Sequence, residues 1–348
     1  MNDNILCKFF SFILTISILL ERSNNLKSWV KLKLNKQNFE LEPIASDAGF
    51  RRYFRIRLQN NKTLVAMDAS SPREDCRPFL KVADMMAEAG LRVPEVIFSD
   101  LKNGFLILTD LGKNTYLDII NENNADALFK KAIFALIKWQ CATENNALPL
   151  YSEHLLRKEL NLFKDWYLNK HLNLKIDQKS SVMLRELDEI LIKNAKQQAQ
   201  VFVHRDFMPR NIMADDNCPG IIDFQDAVIG PVTYDLVSLF RDAFLSWNEK
   251  KIDNWIQFYW ESAKAKNIPV DGSFSNFKKQ FNLMGVHRHL KILGIFARIC
   301  YRDKKTKYLE DTPRFFNYLN TICDYYSELL PLNEFLYKIK DRENAMKR

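Results

Sequence analysis

The sequence predicts an α+β protein of two lobes: a small antiparallel-sheet N-lobe with one helix, and a larger, mostly helical C-lobe. Three observations predict it. Short runs rich in β-branched and aromatic residues crowd the region from residue 39 to residue 111. One amphipathic stretch, residues 75–90, separates the third of those runs from the fourth. From Leu117 onward apolar residues recur at helical spacing, interrupted once by a polar-rich segment at residues 201–227.

In chain order, residues 26–34 are a short helical candidate. Five strands are expected at FELEPI (39–44), RRYFRIRL (51–58), KTLVAMDA (62–69), PEVIFSD (94–100) and GFLILTDL (104–111), each a half-buried alternation or a short apolar run. In DCRPFLKVADMMAEAG (75–90), the spacing of Phe79, Leu80, Val82, Ala83, Met86 and Ala87 suits a helix, and Gly90 supplies its stop. The clearest later helices are DALFKKAIFALIKWQ (126–140), HLLRKELNLFKDWYL (154–168), SVMLRELDEILIKNAKQ (181–197) and DLVSLFRDAFLSW (235–247). These boundaries divide the chain into an extension at 1–22, an N-lobe at 23–108 and a C-lobe at 109–348.

With 348 residues and 47% apolar content the chain can bury a substantial core. A net charge of +8 raises nucleic acid as a partner, but the basic residues are spread along the chain without a run of like charges, so nucleic acid is not expected. A basic surface or an anionic small substrate is the milder explanation. Six cysteines without C-x-x-C spacing argue against a zinc site or a disulfide framework and for reduced thiols in a cytoplasmic protein. The apolar segment 5–20 is shorter than the roughly 20 residues that span a bilayer, and no small-residue cleavage signature follows it. It reads as an extension ahead of the folded domain; a membrane-touching anchor is the alternative, and a cleaved export signal is disfavoured. Nothing in the sequence fixes an oligomeric state.

The chemistry sits in VFVHRDFMPRNIMADDNCPGIIDFQDA (201–227). Apolar runs at 201–203, 212–213 and 220–222 are separated by turn-forming Asp215, Asp216, Asn217, Pro219 and Gly220, so a loop followed by a small hairpin is expected. That arrangement brings Asp206, Asn211 and Asp223 to one end of the hairpin. Asn211 and Asp223 then offer hard oxygen ligands to Mg²⁺, and Asp206 remains to accept the proton of an attacking hydroxyl. This is the division of labour of kinase phosphoryl transfer from ATP. His204-Arg205-Asp206 with Asn211 fits H-R-D-x-x-x-x-N, and Asp223-Phe224 stands where a kinase carries D-F-G, with Gln225 in place of the Gly. His204 is expected to brace the loop rather than titrate.

On these motifs the chain resembles the aminoglycoside phosphotransferase and choline kinase superfamily, small-molecule kinases that share the protein-kinase fold. Asp223 is followed within twelve residues by Gly230-Pro231 and Tyr234-Asp235, which leaves no room for an activation loop and disfavours a peptide substrate. The resemblance gives Asp235 a structural, loop-bracing role. Further blocks, SDAGFRRYFRI (46–56), MDASSPREDCRPFLKVA (67–83), FLILTDLGKNTYLDII (105–120), IDFQDAVIGPVTYDLVSLFRDAFLSW (222–247) and RHLKILGIFARICYRD (288–303), are similar to the bacterial anomeric sugar kinases of cell-wall recycling. That similarity implies ATP- and Mg²⁺-dependent phosphorylation of the C1 hydroxyl of N-acetylmuramate or N-acetylglucosamine.

One departure from the general kinase pattern matters. Val65-Ala66-Met67-Asp68 occupies the strand where a protein kinase carries V-A-I-K, so Asp68 stands in the place of the phosphate-holding Lys. Arg51 and Arg52 are the candidates to replace it, with the loop 46–50 folding over the triphosphate, although both also read as ordinary strand residues. The nucleotide base is expected along the segment joining the lobes, at Leu108, Thr109 and Leu111. For the acceptor, VHRHLKILGIFARICYRDKK (286–305) is strongly basic and favours an anion, such as the lactyl carboxylate of muramic acid, over a polycation. Arg288, His289 and Lys291 are the candidates there, and Arg241 and Asp242 are further ones for sugar hydroxyls; a solvated basic face and plain ion pairing are the alternatives. Two rival functions stay open: a kinase for another small alcohol of the aminoglycoside or choline type, and a nucleotide-binding pseudokinase scaffold.

Overall fold

The computed structural model describes residues 20–36, 38–44, 51–59, 61–69, 74–215 and 218–346. The chain divides into two compact units, one running to residue 84 with 93–112 added, the other formed by 85–92 with 113–348. Most of the apolar segment 5–20, the loop 46–50 and the turn residues Asp216 and Asn217 lie outside the described residues. Among those described, no helix is long and apolar enough to cross a membrane.

The first unit starts with a helix over residues 20–34, α1. Five strands follow: β1 (Phe39–Ile44), β2 (Arg51–Leu58), β3 (Thr63–Ala69), β4 (Val96–Asp100) and β5 (Phe105–Thr109). Each falls inside one of the runs expected from the alternation, and together they form one antiparallel sheet in the order β1-β2-β3-β5-β4. Leu26 and Val30 of α1 pack on Ile56, Ala66, Phe105 and Ile107, so one face of the sheet is closed by α1. Helix α2 (Arg77–Glu88) runs from the first unit into the second, ending two residues before Gly90.

The period of two along a strand decides where Asp68 points. It shares the α1 face with Ala66, where it is wholly buried and takes Nε–H of Arg22 at 2.7 Å. Arg52, directly opposite Asp68 in register, closes a second ion pair on it. Arg51 necessarily projects to the other face, where its Nη2 meets Glu74 at 2.6 Å.

The second unit is mostly helical: α3 (Tyr116–Ile119), α4 (Ala125–Cys141), α5 (Glu153–Leu162), α6 (Gln178–Gln197), α7 (Tyr234–Phe240), α8 (Glu249–Ala265), α9 (Phe274–Asp303), α10 (Thr312–Cys323) and α11 (Leu330–Met346). Four short strands interrupt them. β6 (Gln200–Val203) pairs with β9 (Val228–Pro231), and β7 (Ile212–Met213) pairs with β8 (Gly220–Ile221) as the expected hairpin. Helix α9 is the central element, in contact with α5, α6, α7 and α10.

Two helices end earlier than their apolar periodicity suggests, each for a local reason. The stretch 154–168 is not one α-helix: α5 stops at Leu162, and a π-helix continues from Phe163 to His171. Gly294 of α9 is pressed against that junction so closely that a Cβ would lie 2.2 Å from the Leu162 carbonyl carbon. The stretch 235–247 is shortened to α7 because Asp242 Oδ1 accepts the N–H groups of Phe244 at 2.6 Å and Leu245 at 3.2 Å, a local bond that competes with the helical one. Arg241 and Asp242 therefore sit past the end of the helix that was expected to carry them.

Candidate active site

Strand β6 delivers the chain to a loop whose shape is fixed from beneath. Asp235, in the first turn of α7 and wholly buried, accepts the N–H of His204 at 2.7 Å and that of Arg205 at 3.0 Å, one on each carboxylate oxygen. These bonds hold Arg205 at φ 76°, a left-handed conformation that a non-glycine residue keeps only when its surroundings demand it. Burial pushes the Asp235 carboxyl up to about 7, with the two N–H donors pulling the other way. His204 staples the loop to the hairpin: its Nε2–H donates to the Ile222 carbonyl at 3.1 Å and its Nδ1 accepts from the Asp206 N–H at 3.2 Å. Burial lowers its affinity for a proton, so it serves as a neutral brace.

The Asp206 side chain emerges from this frame 45% exposed. Asn211 Nδ2 donates to the Asp206 backbone carbonyl at 2.9 Å and lies 3.5 Å from Asp223 Oδ2, so the Asn211 side chain sits between the Asp206 backbone and the Asp223 carboxylate. With its nitrogen engaged in this way, Asn211 keeps its amide oxygen for a ligand. Asp223, exposed and at φ 63°, accepts Nε2–H of Gln225 at 2.9 Å, which gives the residue in the Gly place of D-F-G a function in orienting the carboxylate. Among the described residues no cluster of three His, Cys, Asp or Glu could hold a metal. An Asn–Asp pair with hard oxygens suits an ion that keeps water and phosphate oxygens for its other positions, as Mg²⁺ does.

Under the loop lies a buried charge network that the sequence did not point to. Glu159 of α5 accepts Arg205 Nη2–H at 2.7 Å and pairs with Lys291 Nζ of α9 at 2.9 Å, and the Tyr151 hydroxyl donates to its other oxygen. Burial alone would raise the Glu159 carboxyl, but Lys291 and Arg205 outweigh it and hold the group down to about 2. The Tyr234 hydroxyl accepts from Lys291 Nζ at 2.8 Å and from Arg288 Nη1 at 3.2 Å. Arg288 also donates to the Arg205 carbonyl at 3.1 Å, and its Nη2 stands 4.0 Å from Asp206 Oδ1. Of the candidate acceptor residues, Arg288 thus touches the catalytic loop directly, and Lys291 connects to it through Glu159, which pairs with Arg205.

The others lie elsewhere. His289 is wholly buried, stacks on Tyr318 at 4.8 Å, and approaches the Arg241 carbonyl at 3.4 Å. Arg241 is buried over Phe281 and pairs with Glu249 at 2.9 Å, while Asp242 holds the turn after α7 and keeps one carboxylate oxygen without a partner. In the first unit, Leu108 is buried opposite Val65, and Thr109 exchanges hydrogen bonds with Glu95, its hydroxyl accepting at 2.9 Å. Leu111 is half-buried in a segment pinned by Arg55, which donates to Asp110 at 2.7 Å and to the Gly112 carbonyl at 2.7 Å. Arg52 is committed to Asp68; Arg51 pairs with Glu74 but leaves its buried Nε without a partner.

His287, one residue before Arg288, sets a pH limit on this core. Its Nε2–H donates to the Leu156 carbonyl at 3.2 Å, and burial lowers the ring's pKa to about 4 from 6.5. Between those values the unfolded chain binds the proton and the folded chain does not. The contribution is therefore complete above pH 6.5 and lost as pH falls toward 4, by on the order of 3 kcal/mol. In urea titrations, the stability advantage of the wild type over His287→Gln should shrink across that interval. A gap independent of pH would contradict the assignment.

A loop of this build on a two-unit α+β fold defines the class of kinase-fold phosphotransferases. Residues 40–265 match APH, the phosphotransferase enzyme family, and the chain belongs to it. The N-acetylmuramate/N-acetylglucosamine kinase of Pseudomonas aeruginosa is 50% identical over 306 residues, covering 88% of this chain and 90% of that one. The enzyme of the same name from Neisseria meningitidis is 39% identical over 324 residues, covering 92% of this chain and 96% of its own. Among solved structures, the ADP-bound aminoglycoside phosphotransferase APH(2'')-Ib shares the fold with a TM-score of 0.57 at 15% identity, over 84% of this chain and 96% of that one. An ethanolamine kinase from Plasmodium vivax does so with a TM-score of 0.58 at 10% identity, over 86% and 84%.

Proposed function

We propose that this protein transfers the γ-phosphoryl group of ATP to the C1 hydroxyl of N-acetylmuramate, N-acetylglucosamine or both. The observation that carries the reading is the 50% identity to a kinase of that name across 88% of the chain, a span that includes Asp206, Asn211 and Asp223 in the arrangement phosphoryl transfer needs.

Asp206 accepts the proton of the C1 hydroxyl while that oxygen forms its bond to the γ-phosphorus. The bond from phosphorus to the β,γ-bridging oxygen breaks, and its electron pair leaves with ADP. Mg²⁺ held by Asn211 and Asp223 would neutralise charge on the phosphate oxygens. Asp235 and His204 keep Asp206 aimed by fixing the backbone leading into it. In the first unit, the segment from Leu108 through Thr109 to Leu111 is assigned to the base and Arg51 to the phosphates; Arg52 has the different task of neutralising Asp68. Arg241 and Asp242, past the end of α7, are assigned to acceptor recognition, with His289 acting through the Arg241 carbonyl.

The test is ADP release from ATP and Mg²⁺ with N-acetylmuramate, N-acetylglucosamine, kanamycin and choline in parallel. Turnover on the two acetylated sugars alone is the expected result. Turnover on kanamycin or choline, or nucleotide binding without turnover on any of the four, would overturn it.

A further inference from the structure

We infer that Arg288 is a catalytic residue acting at the reacting C1 oxygen of either sugar, not a reader of the lactyl carboxylate that distinguishes one sugar from the other. The inference rests on the kinase reading above and assigns a part of that same site. Its first support is place. Arg288 is 3% exposed, and its Nη2 is 4.0 Å from the carboxylate oxygen of Asp206. A hydroxyl placed between the two can be within hydrogen-bond reach of Asp206 and of the guanidinium at once. The lactyl group hangs from the C3 oxygen, two ring carbons away, so it does not share the position of the reacting C1 oxygen.

The second support is how the guanidinium is held. Nη1 is anchored to the Arg205 carbonyl and the Tyr234 hydroxyl, and the plane lies over the Tyr234 ring at 5.3 Å. Nε is buried without a partner. One end is thus fixed by neutral acceptors, while donors remain for an incoming oxygen.

Charge gives the third. Glu159 takes both Lys291 and Arg205, so neither cation competes for an anion arriving at Asp206. Among the described residues Arg288 has no carboxylate at hydrogen-bond distance, its nearest ion-pair partner being Asp206 at 4.0 Å. As the C1 proton passes to Asp206, negative charge leaves that carboxylate and develops on the anomeric oxygen and the phosphoryl group in flight. A fixed guanidinium acting at the anomeric oxygen stabilises the charge that develops there without having to reorganise.

The experiment is steady-state kinetics of Arg288→Gln and Arg288→Lys on N-acetylmuramate and N-acetylglucosamine, with ATP binding measured on each variant to establish that it is folded. The Gln variant is expected to lose roughly 10²-fold in kcat on both sugars by the same factor, with KM changed far less, and Lys should restore part of the loss on both. A loss confined to N-acetylmuramate and expressed in KM would overturn the inference and give Arg288 to the carboxylate. Should the Gln variant fail to bind ATP, the Lys variant decides by the same comparison, an equal kcat loss on the two sugars supporting the inference and an unequal one overturning it. Wild type inactive on both sugars would instead remove the kinase reading, a failure distinct from either result.

Discussion

Asp206→Asn is expected to reduce turnover by about 10³-fold or more while leaving the fold and nucleotide binding intact. The carboxylate is the only part of Asp206 that the substitution alters in kind. The backbone around it stays pinned, because the His204 N–H and Arg205 N–H go to Asp235, the Asp206 N–H goes to His204 Nδ1, and the Asp206 carbonyl keeps Asn211 Nδ2. With a side chain 45% exposed, the residue contributes little to packing. An Asn there cannot accept the hydroxyl proton at neutral pH, so a loss of kcat with an unchanged melting temperature is the expected signature. A variant retaining more than a tenth of wild-type turnover would remove Asp206 from the reaction.

Gly294→Ala is expected to be among the most damaging single substitutions outside the loop. Its Cβ would meet the Leu162 carbonyl carbon at 2.2 Å, the Leu162 oxygen at 2.4 Å and the Phe163 nitrogen at 2.5 Å, all backbone atoms that cannot rotate aside. Relief requires α9 and the α5 junction to separate, at about 3 kcal/mol or more for overpacking of this severity. The consequence reaches the site. Glu159 lies one turn before the junction on α5 and Lys291 one turn before Gly294 on α9, so separation draws their 2.9 Å ion pair apart. Urea denaturation should show the loss of stability, and kcat should fall with it. Stability within about 1 kcal/mol of wild type would mean that the two helices are not held at so close a distance.

The strands were legible because each is a short run with its own alternation, and a β-strand needs little beyond that pattern and a partner. The loop was legible for a related reason: His204, Asp206, Asn211 and Asp223 lie within one continuous segment, and spacing alone limits how such a segment can turn. Glu159 gave no signal, since it sits in a charged amphipathic helix 46 residues before its partner Arg205, where any Glu reads as solvated surface. Charge counting placed Arg288 and Lys291 on a basic helix suited to an anion, but it could not foresee that Lys291 is neutralised inside the protein by Glu159.

Asp68 is the instructive intermediate case. Its position in the V-A-I-K strand reads as the loss of the phosphate-holding Lys, with Arg51 and Arg52 as the candidates to replace it. The sheet instead turns Asp68 to the α1 face, where Arg22 and Arg52 neutralise it, so only Arg51 faces the other way. Strand periodicity already separates Arg51 from Arg52. The identity of the covered face depended on α1, whose packing is a tertiary fact. The helix ends have the same character, since Asp242 and Gly294 act through contacts that apolar periodicity does not register.

The central claim, phosphorylation at the anomeric oxygen, is tested most directly by identifying the product. N-acetylmuramate carrying ¹³C at C1, incubated with the protein, ATP and Mg²⁺, should yield a product in which the phosphorus couples to the labelled anomeric carbon and the reducing end is lost. A phosphate on another hydroxyl, with the reducing end retained, would contradict the account.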